Sequence, residues 1–246
     1  MRFSVITITF NAEQFLAQTL ESVAMQEGVD YEHLIWDGGS NDRTLEIAHS
    51  FNHVKIIEGR DSGIADAMNR GAAHAQGEFI IHLHADDALS HPRALLMMNR
   101  ALLLHPHIEW LYGQANIINE KGSRLRTTRY EPFSGKRLRK YNFITHPATV
   151  VSYSLFKRVG GFCTDLRYYM DYDLWLRLAR LSTPFALPAI LASFREHNGS
   201  LSTREPFQVA DEAYHVRNRY VTSLYERFRS FRTWKKRKAP PIMSKY

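Results

Sequence analysis

Four short apolar runs, separated by stretches with helical spacing, constrain this chain more than any other feature. They are Ser4-Val5-Ile6-Thr7-Ile8-Thr9-Phe10, His33-Leu34-Ile35-Trp36, Val54-Lys55-Ile56-Ile57 and Phe79-Ile80-Ile81-His82-Leu83. Each is too short for a buried helix and rich in β-branched or aromatic residues, as buried strands are. Between the first two, Phe15, Leu16, Leu20 and Val23 recur at helical spacing, and Asn11 is expected to cap that helix. Further helices are expected near residues 43–50 and 63–75. The alternation β-α-β-α-β-α-β predicts an open, doubly wound, mostly parallel α/β sheet.

The second half is less regular. A helix is expected at 93–104, after Pro92, with strands at 109–112 and 116–118. Asn119-Glu120-Lys121-Gly122 reads as a turn into an extended 124–128. Another short strand covers 148–151, a helix covers 171–181, and 186–192 is extended but interrupted by Pro188. A long helix starts near Pro206 and reaches towards Arg229. At 246 residues the chain has room for one large domain or two small ones. The second half supplies no obvious independent core, which favours one.

In open α/β sheets, ligand groups lie just past the carboxyl ends of the strands. Four motifs have that position. Thr9-Phe10-Asn11 ends the first strand, and Asp37-Gly38-Gly39-Ser40 ends the second. Asp37 suits a base N–H or a ribose hydroxyl, and equally suits a tight turn that it caps itself. In Asp61-Ser62-Gly63-Ile64-Ala65-Asp66-Ala67-Met68-Asn69-Arg70, a helix brings Asp66, Asn69 and Arg70 onto one face. The last strand runs into Leu83-His84-Ala85-Asp86-Asp87. Adjacent carboxylates repel, so they need a compensating partner. A hard divalent cation holding a phosphorylated ligand is one such partner; a helix cap is the plainer reading.

Two further segments carry candidate chemistry. In Met170-Asp171-Tyr172-Asp173-Leu174-Trp175-Leu176-Arg177-Leu178, Asp171 shares a helical stripe with Leu174, Trp175 and Leu178, while Asp173 points elsewhere. An inward carboxylate beside aromatic surface suits a general base, since desolvation raises its proton affinity. The helix N-terminus acts in the opposite sense, so the sequence leaves the sign of the shift open. Phe194-Arg195-Glu196-His197-Asn198-Gly199-Ser200 offers His197 as a metal ligand and Arg195 to neutralise phosphate.

Taken in order and spacing, these motifs resemble the family 2 glycosyltransferases. The match continues through His146-Pro147, Gly160-Gly161-Phe162 and the His197 segment, to about residue 205. The resemblance implies a GT-A fold, a Rossmann-like open mixed sheet flanked by helices. It implies a domain at 1–205, with a nucleotide-sugar-binding half (1–130) and an acceptor-binding half (131–205), followed by a C-terminal helix and tail (206–246). It further implies inverting hexosyl transfer from a nucleotide diphosphate sugar to an acceptor hydroxyl. Thr9, Asn11 and Asp37 would then hold base and ribose, with Asp66 and Arg70 near ribose and diphosphate. Asp86 would bind a divalent metal, Mn or Mg, with Asp87 beside it. His197 would be the second ligand or a diphosphate contact, Arg195 a diphosphate contact, and Asp171 the catalytic base. Two positions depart from the family pattern: His84 replaces the first acid of its Asp-x-Asp motif, and Met170 replaces the acid before the base.

Two other readings compete. A nucleotidyltransferase has a similar sheet, but it would show a Gly-rich phosphate loop after the first strand, and Thr9-Phe10-Asn11-Ala12-Glu13 has none. A catalytically degenerate nucleotide-sugar-binding or scaffold protein would rest on His84 and Met170.

Charge separates the C-terminus from the rest. From Arg227 onward there are eight basic residues and no acid. The whole chain carries +7, so the remainder carries −1. A nucleic-acid-binding domain would instead place its charge on a folded face. Ala213, Val216, Tyr220, Leu224, Phe228 and Phe231 recur at helical spacing, and Trp234 lies among the tail's cations. That pattern suits an anionic membrane surface as well as it suits a solvated tail. Without a signal peptide pattern or a transmembrane run, and with one cysteine, the chain is expected in the cytoplasm. A peripheral place at the inner membrane face would suit a glycan or lipid-linked acceptor in cell-surface polysaccharide synthesis. In a flotation assay, anionic liposomes should carry the full chain and leave behind a form lacking residues 227–246; equal binding by both would remove the tail from this role.

Overall fold

The computed structural model of the chain describes residues 2–197, 199, 205–221, 231, 232, 234 and 235. The first half follows the expected alternation: β1 (Phe3–Thr9), α1 (Leu16–Ala24), β2 (Tyr31–Asp37), α2 (Thr44–His49), β3 (Val54–Glu58), α3 (Ile64–Ala73) and β4 (Phe79–His82). Then come β5 (Ala88–Leu89), α4 (Ala94–Leu104), β6 (Trp110–Ile118), β7 (Arg124–Thr127) and a short α5 (Gly135–Leu138). A 3-10 turn (His146–Ala148) leads into β8 (Thr149–Ser152), α6 (Tyr153–Arg158), α7 (Met170–Leu181), β9 (Phe185–Arg195) and α8 (Pro206–Tyr220).

These strands form one sheet in the order β3-β2-β1-β4-β8-β6-β9-β5, with β7 paired to β6. The first four are parallel. Beyond β4 the sheet changes character: β8 runs antiparallel to both β4 and β6, β9 is parallel to β6, and β5 is antiparallel to β9. The sheet is therefore mixed, and the mostly parallel expectation holds only for the first half. Parallel pairing needs long crossovers, which the first half supplies as helices. The β6–β7 connection is instead a tight hairpin, closed by Gly122 N–H donating to the Asn119 carbonyl at 2.9 Å.

Strand alternation divides the core between the two faces. In β1, Phe3 and Val5 point to the cluster under α4, while Ile6 joins the cluster that holds α3 and α7. Each cluster draws on residues before and after 130, so the two halves share their cores.

Three local expectations fail for identifiable reasons. Residues 109–112 and 116–118 belong to one strand, because Gly113 lets β6 pass β9 closely: a Cβ there would lie 2.5 Å from Leu191 Cδ1. Pro188 does not interrupt β9, because the β6–β9 register shifts between Ala186 and Ile190 and places it in an exposed bulge. Asn11 does not cap α1, which begins five residues later behind Phe15. It adopts a left-handed conformation (φ 50°), and its side chain accepts the Asn41 N–H at 2.9 Å. The C-terminal helix is described to Tyr220; the expectation that it reaches Arg229 lies outside the described residues.

One link joins α3 to the loop before α7. Asn69 donates to the Phe162 carbonyl at 2.8 Å and accepts the Phe162 N–H at 2.8 Å. The chain fits there because Gly161 has φ 69° and lacks a Cβ, which would lie 2.5 Å from Asn69 Oδ1. Gly161→Ala should lower unfolding stability by about 2 kcal/mol, from the left-handed backbone and the lost Asn69 clamp, read by urea denaturation.

Candidate active site

Thr9 and Asp37 are neighbours across the β1–β2 ladder, at the carboxyl ends of both strands. The Asp37 carboxylate is buried and fully engaged. Its Oδ1 accepts the Gly39 and Ser40 N–H groups at 3.0 and 2.8 Å, and its Oδ2 accepts the Thr9 and Ser40 hydroxyls at 2.7 Å each. The turn-forming reading describes how Asp37 and Thr9 stand here: both shape the loop, with the Thr9 hydroxyl donating to Asp37. Asn11 is likewise tied to the 40–41 loop, through its N–H to Ser40 Oγ at 2.9 Å as well as its side chain. Phe10, between them, is 67% exposed. Asp61 also lies at this edge and was not selected from the sequence. It accepts the Trp36 indole N–H at 3.0 Å and the Gly63 N–H at 3.1 Å. Gly38 makes room for it, since a Cβ there would lie 2.7 Å from Asp61 Oδ2. The signal available in the sequence was its position just after the third strand.

On α3, helical spacing only partly describes the outcome. Arg70 Nε donates to Asp66 at 2.9 Å, and the Ser62 N–H does the same at 2.9 Å. The Arg70 bond is the main reason that the Asp66 carboxyl titrates below its usual range. The Arg70 guanidinium remains half exposed, 5.7 Å from the Trp36 ring centre. Asn69 turns away to Phe162.

The acids after β4 have opposite environments. Asp86 Oδ2 meets His197 Nε2 at 2.9 Å. His197 Nδ1 accepts the Gly199 N–H at 3.1 Å, so the proton is on Nε2 and points at Asp86. Burial works to raise the Asp86 carboxyl, but the His197 bond and the neighbouring His84 outweigh it and hold it below the ordinary range. Asp87 is fully buried. Its Oδ1 accepts the Arg195 N–H at 3.0 Å, and its Oδ2 has no partner among the described residues. Burial, with Asp86 adding repulsion, pushes the Asp87 carboxyl well up.

Arg195, expected at the diphosphate, is used otherwise. It is 2% exposed, and its side chain donates to the carbonyls of Asp86 (2.8 Å), Asn119 and Glu120 (3.1 Å each) and to Gln18 Oε1 (2.7 Å). Its guanidinium lies 4.6 Å over the Phe15 ring. Four of its five N–H groups are thus taken, and the residue braces the Asp86–Asp87 loop rather than facing a ligand.

A row of rings leads from Asp86 towards α7. His84 stacks on His146 (centroids 4.8 Å, 27°), and His146 lies 6.0 Å from Trp175. His146 Nε2 and Trp175 Nε1 are buried without a partner among the described residues. Burial lowers all three nearby imidazoles, His82 to about 3 and His146 well below normal, so His84, His82 and His146 are neutral at pH 7.

Trp175 is one helical turn from Asp171. Asp171 lies in the first turn of α7, where its carboxylate accepts the Tyr172 N–H at 2.6 Å and the Asn142 amide at 3.2 Å. Burial outweighs these bonds and raises its pKa to about 6. The sign that the sequence left open is therefore upward. Asp173 points away from the Asp171 stripe, yet not into solvent. It is buried under α8, accepting Arg177 Nε and the Tyr220 hydroxyl at 2.7 Å each. The cause is tertiary: Ala213, Val216 and Tyr220, read as a lipid-facing stripe, cover α7. Trp234 stacks on Tyr214 (5.1 Å) and donates to Asp211 at 2.6 Å.

Asp86 and His197 are brought together; Asp87, Arg195 and Asp37 are committed to the fold. Among the described residues, no group of three or more His, Cys, Asp or Glu is arranged for a metal. The Asp86–His197 pair offers one carboxylate and one imidazole, a donor set that suits Mn2+ when ligand oxygens and water complete the shell.

The sequence profile of Glycosyl transferase family 2 matches residues 4–159. A PGL/p-HBAD biosynthesis glycosyltransferase of Mycobacterium bovis is 30% identical over 213 residues, spanning 82% of this chain and 79% of that protein. An uncharacterized glycosyltransferase of Haemophilus influenzae is 27% identical over 238 residues, spanning 93% and 80%. Among solved structures, S. aureus TarS 1-349 in complex with UDP-GlcNAc superposes with a TM-score of 0.74 at 16% identity, covering 96% of this chain and 72% of that one. The mannosyltransferase PcManGT from Pyrobaculum calidifontis, in complex with GDP-Man and Mn2+, gives 0.67 at 15% identity, covering 95% and 69%.

Because the buried Arg195 guanidinium bonds three backbone carbonyls, Arg195→Ala should cost at least about 3 kcal/mol in urea denaturation; a loss under about 1 kcal/mol would mean that the brace is dispensable.

Proposed function

The chain belongs to glycosyl transferase family 2 and has the GT-A fold, and we propose that it transfers a sugar, with inversion, from a nucleotide diphosphate sugar to an acceptor hydroxyl. One observation carries the reading: Asp171 is a desolvated carboxyl, held by Asn142 and the Tyr172 N–H, with a pKa raised to about 6. That is the environment a general base needs to be ionised at neutral pH yet basic enough to take a proton.

The donor's parts then find places. The base stacks on exposed Phe10, beside a loop held in shape by Asp37 and Thr9. Arg70, half exposed beside Asp66, meets the diphosphate. A divalent cation held by Asp86 and His197 would neutralise charge on the leaving diphosphate. Binding it requires the His197 Nε2 proton to leave. The sugar lies along the row His84, His146, Trp175, which ends one turn from Asp171. The acceptor oxygen attacks the anomeric carbon as the bond to the diphosphate breaks, and Asp171 takes the hydroxyl proton.

Support for the donor class is that TarS and PcManGT carry UDP-GlcNAc and GDP-Man with Mn2+. A mycobacterial relative is named for PGL/p-HBAD biosynthesis, which supports a biosynthetic glycosylation. In our reading the acceptor is a lipid-linked glycan of cell-surface polysaccharide synthesis, met at the cytoplasmic membrane face, with the basic tail on anionic lipid. No helix among the described residues is long and apolar enough to cross a membrane. In this reading residues 1–130 hold most of the donor, and 131–205 serve the acceptor while lending His146, Trp175 and His197 to the donor.

Across a panel of nucleotide sugars with Mn2+ or Mg2+, the unmodified protein should turn over at least one donor, and Asp171→Asn should lower kcat about 10²–10⁴-fold. Since the base form is lost as pH falls, kcat/KM should drop below about pH 6. Ionised Asp171 costs folded-state stability above that pH, so Asp171→Asn should keep or raise Tm at pH 8. Binding without turnover, across the panel, would favour the non-catalytic reading that His84 invites.

A further inference from the structure

We infer that Glu212, on the C-terminal helix and outside the family match at 4–159, is a positioning residue for Asp171, so that α8 forms part of the catalytic apparatus. This rests on the reading of Asp171 as base.

The geometry is specific. The first backbone N–H groups of a helix have no partner within it. At α7 the N-cap residue Tyr169 makes no side-chain cap, and Asp171 takes only the Tyr172 N–H. Glu212 arrives from α8 onto the amides just before the helix. Its Oε2 accepts the Arg167 N–H at 2.9 Å, and its Oε1 accepts the Tyr168 and Tyr169 N–H groups at 2.7 and 2.6 Å. One carboxylate thus gathers three consecutive amides leading into the turn that carries Asp171. The same helix fixes the other side of the base. Arg217 Nη1 donates to the Lys140 carbonyl at 3.1 Å, holding the segment that ends in Asn142, the residue bonded to Asp171 Oδ2. Tyr172 anchors that segment as well, through its hydroxyl to the Leu138 carbonyl at 2.5 Å. Further along α7, Tyr220 of α8 bonds Asp173.

Two consequences reach Asp171. The Glu212 carboxylate sits on the amides just before α7, where its charge opposes the helix N-terminal field that would favour the Asp171 anion. The Glu212 charge also repels the anion directly, adding to the effect of burial. The other charged and titratable groups nearby are Arg217 on α8, which acts on Tyr172, and Arg167, Tyr168 and Glu205 around Glu212. Tyr172 and Asn142 complete the surroundings of the base. A carboxylate at position 212 therefore keeps the base strong as well as in place.

The test is made on the full chain with Glu212→Gln and Glu212→Asp, with Asp171→Asn as reference. The readouts are the carboxyl-carbon NMR titration of Asp171, the pH profile of kcat/KM, and donor KM. Glu212→Gln should move the Asp171 titration and the acid limb to lower pH, with kcat down about tenfold and donor KM unchanged. Glu212→Asp, with its charge one methylene further back, should give an intermediate position, and it alone decides if the Gln variant does not fold. An unmoved titration in a folded variant, even with lower Tm and uniformly lower activity, assigns Glu212 a structural role only and overturns the inference. Full activity in Asp171→Asn would overturn the base assignment instead, and the NMR titration would still read the Glu212 coupling.

Discussion

The buried guanidinium of Arg195 is the interaction on which the site depends. A charge so enclosed needs nearly every N–H satisfied, and it achieves this by reaching three other parts of the fold. It joins the end of β9 to the Asp86 carbonyl, to the turn between β6 and β7, and to Gln18 and Phe15 of the α1 region. Its own backbone N–H supports Asp87. The loop after β4 is therefore held from below by residues contributed at positions 15–18, 119–120 and 195. This gives the buried acid Asp87 a meaning: it completes the underside of the loop and leaves Asp86 directed towards His197.

A second constraint comes from the change in strand direction beside β4. The parallel strands β3-β2-β1-β4 align their carboxyl ends along one edge, which carries Phe10, the 37–40 loop and the 84–87 loop. The antiparallel entry of β8 next to β4 places the His146 turn, which precedes β8, against the end of β4. That is why His146 can stack on His84. The mixed topology thus builds the row of rings joining the Asp86 end of the site to α7, which a fully parallel sheet with the same β4 would not supply.

Much of this was legible in the sequence, for reasons that also mark where legibility ends. Strands β1 to β4 were readable because burial on both faces leaves continuous apolar runs. The Leu83–Asp87 run and Asp171 were readable because adjacent acids after a strand, and an acid on an apolar helical stripe, are costly unless used. Arg195 was misread because a cation that braces carbonyls and one that meets phosphate look alike in sequence. Asp37 was ambiguous for a similar reason: a carboxylate that closes its own turn has the same neighbours, Gly-Gly-Ser, as one that binds a ligand. The burial of Asp173 and of the Ala213–Val216–Tyr220 stripe has no local signal, since each is explained only by the packing of α8 on α7. Glu212 left no local signal, because its partners lie more than forty residues away along the chain.

The two carboxylates to which our proposal gives the chemistry, a cation for one and a proton for the other, are separated by environment rather than by residue type. Asp86 receives a hydrogen bond from His197 and the influence of His84, and its carboxyl stays ionised well into acid. Asp171 receives two weaker supports and is dominated by burial, so its carboxyl holds a proton up to about pH 6. Such opposed settings divide roles between otherwise identical groups: one keeps negative charge available for a cation, the other accepts a proton at neutral pH. His84 fits this division. Held neutral by burial, it replaces an acid without adding a second negative charge beside Asp86, whose low titration already depends on the imidazoles around it. An aspartate at position 84 would repel Asp86 and oppose that setting unless a cation were bound. The departure from the family pattern therefore makes the resting site less dependent on a bound cation for its own stability, and in our proposal Asp86 and His197 are the pair that would hold one.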